Sequence, residues 1–152
     1  DFSFSLSDTT TSLPKIYAID PGLAMANTNA NVRNEGQRLE DAVYLELRRR
    51  TVGSRRGMIS SYHTKAHGYE IDFVVGDELE RRPYELYQVT DSMDDEQTKE
   101  RELRALWEAM DEAELNGGTI IVGEGENTSY SSPDGKRTVR QVPAWEWMLQ
   151  RD

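Results

Sequence analysis

Two carboxylates lie two residues apart inside an apolar run, Glu70 and Asp72 of GYEIDFVV. They are the side chains of this sequence best suited to chemistry. Strand side chains alternate faces, so Glu70, Asp72 and Val74 share one face and Tyr69, Ile71, Phe73 and Val75 share the other. Like charges side by side repel; a bound divalent cation is one reason to keep them, and a solvated face is the other. The next β-prone run, YELYQVT, places Leu86, Gln88 and Thr90 on one face and Glu85, Tyr87 and Val89 on the other. A hairpin joining 69–75 to 84–90 brings Gln88 and Thr90 beside the acidic pair. A third acid comes from a helix predicted over 35–51. Glu40 falls within its apolar stripe of Leu39, Val43 and Leu47, where an unpaired carboxylate is costly, while Asp41 falls outside it.

The elements that must position these groups follow from periodicity and turn chemistry. Residues 1–13 are Ser/Thr-rich and read as a connector, with 14–152 as one domain. A short β-prone run at 16–19 ends in the turn Asp20-Pro21-Gly22, where Asp20 reads as a turn cap rather than a catalytic acid. The helix 35–51 is followed by a weakly alternating strand over 57–65 and then by the hairpin. Leu103, Leu106, Trp107, Met110 and Ala113 recur at helical spacing, and Trp107 reads as a packing residue in a helix over 95–115. Asp94 and Gln97 resemble a capping box, and Asn116-Gly117-Gly118 reads as the stop. A strand at 119–122, a loop over 123–135, a last strand at 138–142 and a terminal helix opened by Pro143 complete the chain. The order from the first strong helix is αβββαβ, which predicts an α/β fold with a mixed central sheet flanked by helices.

Composition excludes several functions. The 152 residues are 36 % hydrophobic and 30 % charged, with a formal net charge of −10, which argues against strong non-specific duplex binding. Arg48, Arg49, Arg50, Arg55 and Arg56 nevertheless cluster; Arg48, Arg49, Arg55 and Arg56 are the candidate nucleic-acid contacts, with a solvated helix end as the bland reading. The absence of cysteine excludes disulfides and thiolate metal sites and favours a cytoplasmic setting. His63 and His67 have helical zinc spacing, but on a strand and turn they do not converge on one metal. There is no phosphate-binding G-x-x-x-x-G-K-[ST] loop, hence no ATP site in this chain, and no apolar run of membrane-spanning length.

The order of elements, with an acid on the first helix and an Asp in the second strand, resembles the PD-(D/E)xK nuclease superfamily and its restriction-endonuclease-like core. More narrowly, PKIYAIDPGLA, EGQRLEDAVYLELRRR, GYEIDFVV, YELYQVT, TKERELRAL and VPAWEWML resemble the C-terminal domain of bacterial and archaeal AAA-type ATP-binding proteins. The resemblance implies an ATPase portion elsewhere in the same polypeptide as a partner. It also implies Mg²⁺ as the cofactor if the site is active, held by Glu40, Asp72 and the residue at Gln88. Active members carry a carboxylate, one residue, then Lys in the third strand; the matching positions here are Gln88, Val89 and Thr90. Gln brings no charge to a metal, and Thr cannot replace the cationic contact of Lys. The implied catalytic set is therefore Glu40, Glu70, Asp72, Gln88 and Thr90, with two of its members altered. The expectation is a module that has lost catalysis and binds a partner protein, DNA or RNA; the alternative is a working Mg²⁺-dependent nuclease with a variant motif.

Overall fold

A computed structural model describes Tyr17, residues 35–54, 57–77, Glu80 and 82–150. The connector 1–13, the turn at Asp20, and Arg55 and Arg56 lie outside the described residues.

The fold is α/β, with a six-stranded mixed sheet flanked by helices, compatible with a nuclease-like core. The elements are α1 (Glu35–Thr51), β1 (Met58–His63), β2 (Glu70–Asp77), β3 (Arg82–Thr90), α2 (Glu96–Glu112), β4 (Gly117–Val122), β5 (Thr128–Ser131), β6 (Thr138–Pro143) and α3 (Ala144–Leu149). Strand order is β1-β2-β3-β4-β6-β5. The first three strands pair antiparallel, and β3, β4 and β6 run parallel. A parallel neighbour requires a crossover, which α2 supplies between β3 and β4.

The sheet divides the core in two. On one face Ile71, Val74, Leu86, Ile120 and Val139 pack against Leu103, Leu106, Ala109 and Met110 of α2. On the other, Phe73, Val75, Tyr87, Val89, Ile121 and Val142 pack against Val43 and Leu47 of α1 and Trp147 of α3. Arg50 ties the two helices on this second face, donating to the carbonyls of Trp147 (2.5 Å) and Gln150 (3.2 Å) with its guanidinium over the Trp147 ring.

Several local expectations are corrected. The α2 N-cap is Asp95, whose carboxylate accepts from the Thr98 amide at 2.7 Å, one residue later than the predicted box. Helix α2 ends at Glu112, and the left-handed residue after it is Glu114 (φ 55°), while Gly117 and Gly118 open β4. Part of the predicted 123–135 loop is the edge strand β5, paired antiparallel to β6. Asp41 is buried rather than outside the α1 stripe, and its Oδ1 has no hydrogen-bond partner among the described residues. Trp107, by contrast, is the packing residue expected, half-buried against the α2-side core.

Among the described residues no helix is long and apolar enough to cross a membrane.

Candidate functional site

The site turns on an irregularity in β2. In the β1–β2 ladder Ser60 pairs with Val74 and Tyr62 with Ile71, so Ser61 alone opposes both Asp72 and Phe73. This is a β-bulge, one extra residue in β2, and it throws the alternation of side chains out of step. Ile71 and Val74 consequently point to the α2 face, and Phe73 and Val75 to the α1 face. The predicted parity, with Ile71, Phe73 and Val75 together and Val74 beside Asp72, is corrected by that extra residue.

On the α1 side the Tyr17 ring stacks on Tyr44 (centroids 4.1 Å apart, 17° between planes) and lies 5.6 Å from Phe73. Burial raises the pKa of the Tyr17 phenol well above its ordinary value, and the charges of Glu40, Asp72, Tyr44 and Glu70 push it the same way. The charges of all three predicted acids thus act on one phenol. Glu40 and Asp72 are half-buried, and Glu70 is exposed at the start of β2.

Gln88 does not join them. Leu86, its neighbour of the same parity, belongs to the α2-side core, and the Gln88 side chain is likewise turned toward α2, where its Nε2 donates to Glu102 Oε2 at 2.7 Å. The same Nε2 donates to the Glu70 carbonyl (3.1 Å), and Gln88 Oε1 accepts from the Asp72 amide (2.9 Å). The paired register of β2 with β3 begins only at Phe73 and Tyr87. Beyond it the carboxamide of Gln88 stands in for a backbone peptide, satisfying one donor and one acceptor of β2. Asp72 completes the exchange from its own side, accepting from the Val89 amide through Oδ2 at 2.8 Å. Glu102 is also held by Arg101, at 3.1 Å from Nε and 2.7 Å from Nη2. No sequence pattern singled out Glu102; a carboxylate one position before Leu103, on the inner arc of an otherwise apolar helix face, was the available signal.

The side chains of β3 that share the Phe73 and Val75 face are Tyr87 and Val89, and the Tyr87 hydroxyl donates to Glu85. Thr90 is half-buried, and its hydroxyl lies 3.5 Å from the Ser92 carbonyl. The β3 surface on this side therefore offers Tyr87, Val89 and a Glu85 carboxylate bonded to the Tyr87 hydroxyl, and no Lys.

The ligand set implied for Mg²⁺ does not fit this arrangement. Glu40 and Asp72 lie on one side, Gln88 is spent on the other, and among the described residues no group of three or more Asp, Glu or His is placed to hold a metal ion. Of the arginines, Arg48 and Arg49 are exposed. Arg49 is clasped by Glu46 through Nε and Nη2 (2.7 and 2.6 Å), and Arg50 shares the same carboxylate at 2.8 Å. Hydrogen bonds from Arg49 hold the Glu46 carboxyl below its usual range, with Arg50 adding to the effect against the opposing pull of burial. His67 pairs with Glu108.

No family model matches the chain, and no solved structure matches it. The chain is 32 % identical over 151 residues to the uncharacterized protein MJ1544 of Methanocaldococcus jannaschii. The match covers 97 % of this chain and 32 % of that protein, so the chain spans about a third of the relative's length.

Proposed function

We propose that the chain is a nuclease-derived, PD-(D/E)xK-like accessory domain of an AAA-type ATP-binding protein, that it has lost catalysis, and that it acts by binding a partner. The observation that carries this reading is the fate of Gln88. At the position where active members of the resembled superfamily present an acid, this chain has a carboxamide with three hydrogen bonds, all made toward β2 and α2. Its job is structural, and the Asp72 carboxylate is partly committed as well, to the Val89 amide. Thr90 leaves no cation to steady a phosphate or an attacking water.

The partner is a protein or a nucleic acid: Arg49 and Arg50 share the Glu46 carboxylate, while Arg48 is exposed at the same helix end. An active Mg²⁺-dependent nuclease is the second reading, favoured by the charges of Glu40, Asp72 and Glu70 that all act on the Tyr17 phenol.

Metal-linked stability separates the two. A bound ion contributes about 2.7 kcal/mol at a hundred times its dissociation constant. The inactive reading predicts little change in thermal unfolding with millimolar Mg²⁺. Strong stabilisation by Mg²⁺ that disappears in Asp72→Asn overturns it.

A further inference from the structure

Helix α2 grips the β1–β2 hairpin at its turn as well as through Gln88. Glu112 accepts from the Lys65 amide (2.8 Å), the Ala66 amide (3.3 Å) and the Tyr62 hydroxyl. Glu108 accepts from the His67 amide at 3.1 Å and meets His67 Nδ1 at 2.6 Å. Glutamates four apart on one helix repel; here three successive amides and an imidazole meet their charge. The turn also closes on itself. Thr64 and Tyr69 exchange two bonds of 2.9 Å, Gly68 takes φ +69°, and the His67 ring lies flat over Tyr69 at 5.3 Å. The next residue is Glu70, and Asp72 follows two later. The grip on the turn is therefore a grip on the strand end that carries both acids.

We propose that the His67–Glu108 contact is a proton-responsive strap that sets the position of Glu70 and Asp72. The inference rests on the reading that this acidic pair belongs to the working surface of the domain. Histidine is the side chain that ordinarily changes charge between about pH 5 and 8. Protonated, His67 presents Nδ1–H to the carboxylate as an ion pair. Neutral, it keeps the bond only in the tautomer with its proton on Nδ1; the other tautomer sets a lone pair against a carboxylate oxygen. The strap is tight with His67 protonated and slackens with it neutral.

The groups facing the contact leave His67 as the switch. They are Glu108 and Glu112 from α2, Tyr62 from β1, and Lys65 and Tyr69 in the turn. Burial works to raise the Glu108 pKa, but bonds from Thr64 and from the His67 side chain and amide outweigh it, and the carboxyl sits below its usual range. A depressed carboxyl stays ionised across the histidine range; its contribution is present above its unfolded pKa and lost only as pH falls through the folded one. Burial, then the bond to Glu112, raises the Tyr62 phenol, which stays neutral throughout.

The test is an amide NMR titration of the full chain between about pH 5 and 8, in a His63→Gln background because His63 lies across from Glu70 in the ladder. The amides to follow are those of Asp72, bonded to Gln88, and Val89, bonded to Asp72. Both are expected to show a transition with the midpoint of the His67 ring. The transition is expected to vanish in His67→Gln, which keeps a donor without a titration, and in Glu108→Gln. Amides of Asp72 and Val89 that stay flat through the His67 midpoint, or that keep the transition in His67→Gln, overturn the strap. The readout needs neither metal nor partner, so Mg²⁺-dependent cleavage would sink the function proposed above without touching this result.

Discussion

Gln88→Glu is the substitution that the resemblance would call a restoration, and the structure makes it a lesion. Gln88 is 6 % exposed. Its Oε1 accepts from the Asp72 amide, and either carboxylate oxygen can do the same. Its Nε2 donates to the Glu70 carbonyl and to Glu102, and an oxygen in that place turns both contacts into acceptor against acceptor. A buried acceptor left without a donor costs about 1–3 kcal/mol, and charged ones cost more. With Glu102 still held by Arg101, the expected loss at neutral pH is roughly 2–4 kcal/mol, a fall in melting temperature of roughly 5–15 °C for a chain of this size. The sign with pH is fixed. Burial beside Glu102 raises the folded pKa of the introduced carboxyl, so the folded state binds the extra proton. The deficit is then small below the ordinary glutamate pKa of about 4.3 and grows as pH rises above it. Urea unfolding at pH 4.5 and pH 7.5 measures both. Adding Glu102→Gln returns a donor to the pair, and the double variant should recover part of the loss, a non-additivity expected of groups in direct contact. A Gln88→Glu protein as stable as the parent at pH 7.5 would refute the structural role given to this side chain.

The other expectations follow from the same geometry. Asp72→Ala should cost about 1–2 kcal/mol in urea unfolding, because the Val89 amide loses its acceptor, whereas exposed Glu70→Ala should stay within about 0.5 kcal/mol. Equal effects at the two positions would contradict the unequal roles assigned to the two acids. Gly76→Ala should lose about 1–3 kcal/mol, since a Cβ there would lie 2.5 Å from the Arg82 carbonyl oxygen and 2.9 Å from Met58 Cε; unchanged stability would show that the backbone gives way. Glu112→Ala should remove the acceptor of the Lys65 and Ala66 amides and one acceptor of the Tyr62 hydroxyl, and hydrogen exchange at both amides should accelerate by tenfold or more, or about 1.4 kcal/mol of protection.

The layers of the fold were legible because periodicity reports burial. The stripe of Val43 and Leu47 and that of Leu103, Leu106 and Met110 are both core, and the strands around Phe73 and Leu86 lie where alternation places them. The face of each side chain was less legible. Parity counting assumes a regular ladder, and the extra residue at Asp72–Phe73 is set by pairing with Ser61 of another strand. No local pattern in GYEIDFVV announces it. Parity within its own strand places Gln88 beside the acidic pair, while its orientation is fixed by partners on α2 and by backbone groups of β2 outside the ladder. Gly117 and Gly118 carry the composition of a stop, but they are drawn into β4 by parallel pairing with Thr138 and Val139, a long-range contact that propensity cannot see. Glu102 followed the same rule in reverse: a charge on an inner helix arc is visible in sequence, but its partner is not.

The most direct test of a lost catalytic centre is cleavage itself. Purified protein and its Asp72→Ala variant, incubated with single- and double-stranded DNA and with RNA in Mg²⁺ or Mn²⁺, are expected to give the same background, because Gln88 is committed to the fold and Thr90 offers no cation. Metal-dependent cleavage by the parent that disappears in Asp72→Ala would contradict this account.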